Sequence, residues 1–271
     1  MIGSTTRLVA MIGTPIAQVK SPQNFNTRFA ANHEDRAMVP IDLRPEQVED
    51  FVRSVRGWEN LDGFVVTIPH KTAVARLIDE LTPRAQFLDA ANVVRRYPDG
   101  RLCGDNTDGE GFLQAAKANG FSAADKSVLL VGAGAAGRAI AHALAEAGIS
   151  GLFISDIDEA RAATLASRLA TMFPDLAVEA GTAPQRVFDL VVNASPCGMN
   201  AADPLPVPAA VIALMSPDGL AADVVTSPER TPFLELAAQR GLKTQFGHEM
   251  AKAQLFALGR AMGVIGGETS E

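Results

Sequence analysis

Gly132, Gly134 and Gly137 stand at Gly-x-Gly-x-x-Gly spacing, directly behind the apolar run Val128-Leu129-Leu130-Val131 and ahead of the alanine-rich stretch Ala135 to Ala147. That arrangement suits a pyrophosphate. The first glycine turns the chain tightly out of a strand, the second lets backbone amides approach the ligand, and the third lets a helix pack close to the sheet. The helix start adds unpaired N–H groups and a partial positive charge. Asp156 ends the next apolar run, Leu152-Phe153-Ile154-Ser155, about 20 residues further on, where an acid hydrogen-bonds an adenosine ribose. Asp158 fits the N-cap of the following helix better, which leaves Asp156 for the ribose. A dinucleotide site is therefore expected at Gly132, Ala133, Gly134, Ala135, Ala136 and Asp156.

Hydride exchange between an alcohol carbon and nicotinamide needs a partner for the hydroxyl proton. A lysine serves if burial lowers its pKa, with a neighbouring carboxylate to orient it and share the hydroxyl. Lys71 and Asp108 are the candidates. Spacing alone leaves a second reading open, in which Lys71 is a solvated first-turn residue and Asp108 a helix cap. Other polar residues at the ends of expected strands are Ser21, Thr67, His70, Asn92, Asn106 and Thr107. Neither His70 nor His248 has a second ligand at metal spacing, so no metal is expected. Cys103 and Cys197 fit no metal pattern and read as bystander thiols.

The elements that must position these groups alternate. Strands are expected at Arg7–Ile12, Val39–Leu43 and Gly63–Thr67, with helices at Ser21–Ala31 (Ser21 as N-cap), Pro45–Val55 and His70–Glu80. A hairpin pairs 92–97 with 101–104 through Pro98-Asp99-Gly100. The helix Gly109–Asn119 crosses to the glycine loop, and the helix Glu159–Met172 follows the Asp156 strand. Further strands fall at Ala177–Ala180, Leu190–Asn193, Gly219–Val225 and Leu242–Phe246, before a last helix, His248–Met262. Strands alternating with helices predict an α/β fold with parallel sheets.

At 271 residues and 47% apolar composition, the chain can bury one large or two modest cores. A net charge of −7 without a basic run argues against nucleic acid. No apolar stretch approaches the roughly 20 residues of a membrane span, and no basic leader precedes an apolar run, so a soluble cytoplasmic chain is expected. The 13 phenylalanines are scattered and read as core.

Several blocks resemble the shikimate and quinate dehydrogenase family. They run Gly13-Thr14-Pro15 through Ser21-Pro22, Gly63 through Lys71, Ala91-Asn92-Val93 and Gly104-Asp105-Asn106-Thr107-Asp108-Gly109. They continue through Gly132 to Arg138, Asn193-Ala194-Ser195-Pro196-Cys197-Gly198-Met199, Asp223 through Pro228 with Thr231-Pro232, and Gln254. The resemblance implies an N-terminal α/β substrate domain (1–108), a Rossmann-type doubly wound dinucleotide-binding domain (109–240) and a C-terminal helix (241–271) returning to the substrate side. It implies Lys71 and Asp108 as the catalytic pair. Ser21, Thr67, Asn92 and Gln254 would hold the substrate, and Asn193, Ser195, Gly198 and Met199 would line the nicotinamide side. A small cyclic polyol or hydroxy acid is the expected partner, and a monomer or homodimer the expected state.

The departures from the family pattern bear on specificity. His-Ser-x-Ser-Pro is usual where this chain has Gln18-Val19-Lys20-Ser21-Pro22, so one serine for a substrate carboxylate is missing. Val65, Val93 and Thr226 replace the usual asparagine, threonine and tyrosine. NADP-using members usually read Asn-Arg-Thr where this chain has Ser155-Asp156-Ile157, which points to NAD. A paralogue with altered substrate choice is expected. The alternatives are a sensor that binds NAD(H) without turnover and a dehydrogenase of a polyol lacking a carboxylate.

Overall fold

A computed structural model describes residues 2–17, 19–200 and 202–266. The chain forms two compact units, one from residues up to Thr107 joined by those from Leu255 onward, the other from Asp108 to Gln254. The sequence reading places its divisions after 108 and 240.

The first unit contains β1 (Arg7–Gly13), α1 (Ser21–Ala31), β2 (Arg36–Asp42), a 3-10 turn at Pro45–Gln47, α2 (Val48–Val55), β3 (Leu61–Val66) and α3 (Lys71–Leu77). It continues with β4 (Glu80–Leu81), α4 (Pro83–Leu88), β5 (Val93–Arg96) and β6 (Leu102–Asp105). The sheet order is β2-β1-β3-β5-β6-β4. β1 lies parallel to β2 and β3, whereas β5 runs antiparallel to both β3 and β6. The sheet is thus mixed, because the turn at Gly100, whose φ is +86°, folds the chain straight back. Alternate residues of β1 serve two cores. Val9 and Met11 join Phe25, Phe29 and Met38, while Ala10 and Ile12 join Val48, Val52 and Phe64. Burial on both faces explains the unbroken apolar run of this strand.

The second unit contains α5 (Asp108–Ala118), β7 (Ser127–Val131), α6 (Ala135–Glu146), β8 (Gly151–Ser155), α7 (Glu159–Met172), β9 (Ala177–Ala180) and β10 (Leu190–Asn193). It continues with α8 (Ala209–Ala213), β11 (Leu220–Asp223), α9 (Pro232–Gln239), β12 (Lys243–Gln245) and the start of α10 (Gly247–Met262). Its order is β12-β11-β10-β7-β8-β9, all parallel. This is a doubly wound sheet whose strand order reverses between β7 and β10. The α/β class and the doubly wound second sheet expected from the sequence are what the chain adopts.

Ser21 is the first residue of α1, not its N-cap; Lys20 holds that place and no side chain caps the helix. The helix expected over 70–80 stops at Leu77, because Glu80 and Leu81 pair in parallel with Cys103 and Gly104. The elements β4, α4, α8 and α9 lie outside the segments expected from the sequence.

Candidate active site

In the first unit the strand order reverses around β1, so the loops after β1 and β3 adjoin. Thr14 N–H donates to the Ile68 carbonyl at 3.1 Å, and Thr67 N–H donates to that of Ile12 at 2.9 Å. A Cβ on Gly13 would stand 2.3 Å from Thr67 Cγ2, so the residue there must be glycine for Thr67 to sit where it does. Ser21 and Thr67 are both half-buried. Val19 packs partly buried against the core of Phe25 and Phe29, and Lys20 is exposed.

Lys71 opens α3. Just before it, the buried His70 ring contacts the Leu43 carbonyl through Nε2 at 2.6 Å, so that nitrogen donates. Ala91 N–H donates to the Lys71 carbonyl at 3.0 Å. Asn92 Oδ1 accepts from Thr107 N–H at 3.0 Å, which anchors the residue before Asp108. At the end of β6, Arg84 donates to both oxygens of Asp105, at 2.7 and 2.6 Å, and Thr82 adds a third bond at 2.6 Å. Burial pushes the Asp105 carboxyl up, yet Arg84, Thr82 and the Asn106 N–H together hold it below the ordinary carboxylate range.

In the second unit Asp108 begins α5 and is buried, and Gln254 Nε2 donates to its Oδ1 at 2.8 Å. Gly132 turns out of β7 at φ +98°, with an imagined Cβ 2.7 Å from the Ala194 carbonyl oxygen. At Gly137 a Cβ would stand 1.9 Å from the Gly132 carbonyl oxygen, whereas at Gly134 nothing lies within 4 Å. The outer glycines thus let the backbone close up, and the central one faces open space where a pyrophosphate fits. A cleft of about 530 Å³ adjoins it, lined by Gly134, Arg138, Asp158, Arg161 and Arg168 among others, with Arg161 paired to Asp158 at 3.4 Å, so that three cations face one acid. The loop's shape and the positive charge beside it fit a dinucleotide.

Asp158 caps α7 as expected, accepting from Arg161 N–H at 3.1 Å. Asp156 is less free than its spacing suggests. Oδ2 accepts from Ala133 N–H at 2.6 Å and Oδ1 from Asp158 N–H at 2.9 Å. β7 and β8 are neighbours, so the acid reaches the Ala133 amide within the glycine turn, next to Gly132, whose N–H donates to the Ser155 carbonyl at 2.7 Å. Ala133 is correspondingly turned inward, while Ala135 is exposed and Ala136 half-buried. A carboxylate accepts about four hydrogen bonds, which leaves capacity for a ribose hydroxyl.

The loop after β10 is wound round Asn193, which is wholly buried. Asn193 Oδ1 accepts from Ser195 N–H at 3.1 Å and from Ser195 Oγ–H at 2.6 Å. Its Nδ2 donates to the Cys197 carbonyl at 2.9 Å and to Asp223 Oδ1 at 3.1 Å. Asn193 therefore shapes the loop from beneath, and Met199, 56% exposed, is its outward group. Gly198 takes φ +96° over the Thr231 side chain. Asp223, Thr231 and the three arginines of the cleft had no assigned role from sequence. A polar residue closing the apolar strand β11 was the available signal for Asp223. Among the described residues no group of three or more His, Cys, Asp or Glu could hold a metal ion, and no helix is long and apolar enough to cross a membrane.

Residues 11–94 match the shikimate dehydrogenase substrate binding domain. The shikimate dehydrogenase (NADP(+)) of Rubrobacter xylanophilus is 40% identical over 247 residues, covering 88% of this chain and 84% of that protein. Among solved structures, the 5-ketofructose reductase of Gluconobacter sp. strain CHM43 is similar at a TM-score of 0.87 and 29% identity, covering 95% of this chain and 93% of that one. The quinate dehydrogenase of Corynebacterium glutamicum, solved in complex with NAD, is similar at a TM-score of 0.83 and 27% identity, covering 96% and 94%.

Proposed function

The chain belongs to the shikimate dehydrogenase family of nicotinamide-dependent oxidoreductases, and from that premise we propose that it interconverts an alcohol and a ketone on a polyhydroxylated substrate, with Lys71 and Asp108 as its proton-transfer pair. The observation that carries the assignment is the buried Asp108 carboxylate held by the Gln254 amide at 2.8 Å. A bound nicotinamide dinucleotide supplies the hydride acceptor or donor. Lys71 takes or returns the hydroxyl proton, and Asp108 orients the hydroxyl. Ser21, Thr67 and Asn92 hold the remaining polar groups of the substrate.

The substrate is a cyclic polyol or hydroxy ketone that lacks the shikimate carboxylate or carries it elsewhere. Val19 replaces a carboxylate-binding hydroxyl and packs on the core, so its apolar surface meets any anion brought there. A hydroxyl donated to a carboxylate is worth roughly 1.5 to 3 kcal/mol, about ten- to a hundred-fold in capture. Similarity to a ketofructose reductase supports a substrate without a carboxylate. The test compares kcat/KM for shikimate, quinate and a panel of polyols and hydroxy ketones in the parent and in Val19→Ser. Efficient shikimate turnover by the parent, or no gain from the serine, returns the assignment to shikimate itself.

For the cofactor we propose NAD over NADP. Asp156 sets a negative charge on the glycine turn, and two like charges about 4 Å apart repel by roughly 1 to 4 kcal/mol. The opposing reading, NADP, is favoured by Arg138, Arg161 and Arg168 along the cleft and by the cofactor in the name of the Rubrobacter relative. Calorimetric titration with each dinucleotide decides, and equal or tighter NADP binding refutes the NAD preference.

A further inference from the structure

Asp223 ends β11, is 1% exposed, and uses both carboxylate oxygens on donors of its own unit. Oδ1 accepts from Asn193 Nδ2–H at 3.1 Å and from Val225 N–H at 2.9 Å, and Oδ2 accepts from the Thr231 hydroxyl at 2.7 Å. Burial pushes its carboxyl above the ordinary range against those three donors.

A carboxylate only accepts, so the Asn193 side chain must turn its NH₂ toward Asp223. The amide oxygen is thereby aimed at Ser195, where it takes the backbone N–H and the hydroxyl together. In the flipped amide, NH₂ would oppose the Ser195 N–H, and the oxygen would face both the Cys197 carbonyl and the Asp223 carboxylate. Ser195 Oγ in turn accepts from Cys197 N–H at 3.2 Å. The buried acid thus joins the Ser195 N–H and the Cys197 carbonyl in fixing the amide around which residues 193–197 are wound. Through Thr231, whose side chain lies 3.1 Å from where a Gly198 Cβ would be, it also supports the turn at Gly198.

The side of the sheet on which this happens matters. β7 carries the glycine turn, with β8 and Asp156 on one flank and β10 with the Asn193 loop on the other. In a doubly wound sheet the acid after the second strand holds the adenosine ribose, so the β10 flank receives the opposite end of the dinucleotide.

We infer that Asp223 is a positioning residue for the nicotinamide half of the cofactor, acting through Asn193 and Ser195 and leaving the ADP-ribose half to the glycine turn. The inference rests on nicotinamide dinucleotide use. ADP-ribose and NADH separate the two halves as probes. Asp223→Ala is expected to bind ADP-ribose within about twofold of the parent, to bind NADH roughly ten-fold more weakly, and to lose the change in nicotinamide fluorescence on binding. Asp223→Asn keeps an acceptor at Oδ1 and is expected to recover most of the NADH affinity. Should Asp223→Ala fail to fold, Thr231→Val carries the same comparison with the same split, at about three- to ten-fold. Equal weakening of both ligands would make Asp223 a general support of the unit and overturn the inference, as would unchanged NADH binding. A parent that binds ADP-ribose but gains nothing from nicotinamide would instead defeat the cofactor reading beneath it.

Discussion

Asp108 has given up most of its water to stand at the start of α5, and the Gln254 amide is one replacement it receives. Burying a carboxylate costs several kcal/mol unless it is paired, so an acid kept there without a service to perform would be a liability. Lys71→Ala and Asp108→Asn are each expected to lower kcat by about 10²- to 10⁴-fold, the usual worth of a general acid–base group, with NAD affinity nearly unchanged. Steady-state rates paired with calorimetric NAD binding check this, and near-normal turnover of either variant removes the pair from the mechanism. The same scale shows where sequence reading stops. Glycine spacing disclosed the tight turn after β7 because φ and close approach leave few substitutes for glycine. It could not disclose that Asp156 bonds Ala133 N–H, or that Asn193 faces inward, since both depend on which strands are neighbours.

At the scale of elements, the long pieces were legible and the short ones were not. β7, α6, β8 and α7 read directly because each carries a full apolar period with a cap or turn at its end. The two-residue β4 and the five-residue α8 hold too few positions for any period to register. β4 matters nonetheless, because it begins the segment leading to α4, where Thr82 caps the helix and Arg84 reaches Asp105 at the end of β6. This clasp fixes the chain three residues before Asp108. The folded Asp105 carboxyl lies below its ordinary range, so its contribution to stability is present above the unfolded value near 3.9 and is lost as pH falls through the lower folded value. Asp105→Asn is therefore expected to lose about 1.5 to 3 kcal/mol of unfolding free energy at neutral pH, with the gap from the parent closing below about pH 4. Urea titrations at several pH values measure this, and a gap that stays constant down to pH 3 would assign the effect to packing.

For the whole molecule, the second unit carries a core drawn from its own segment, with Leu129, Phe188, Val191 and Phe233 among its members. The first unit does not. Leu258, Met262, Val264 and Ile265, from the far end of the chain, are all buried in the cluster of Val9, Met11, Phe25 and Phe29. Gly63 of β3 is glycine partly on their account, since a Cβ there would approach Met262 Cγ at 3.3 Å, besides a clash at 2.3 Å with the Val94 carbonyl oxygen. Burying a large aliphatic side chain contributes about 1.5 to 3 kcal/mol, so these four supply roughly 6 to 12 kcal/mol. That equals most of the roughly 5 to 15 kcal/mol by which a domain is stable. Residues 1–107 made alone should therefore show no cooperative unfolding and weak near-ultraviolet circular dichroism, and should bind a hydrophobic dye. The same segment joined by a flexible linker to residues 247–266 should regain a sharp transition, while residues 108–254 should unfold cooperatively by themselves. A cooperative transition in the isolated 1–107 segment would mean that its two sheet faces suffice without the C-terminal residues, and the dependence argued from this core would be wrong.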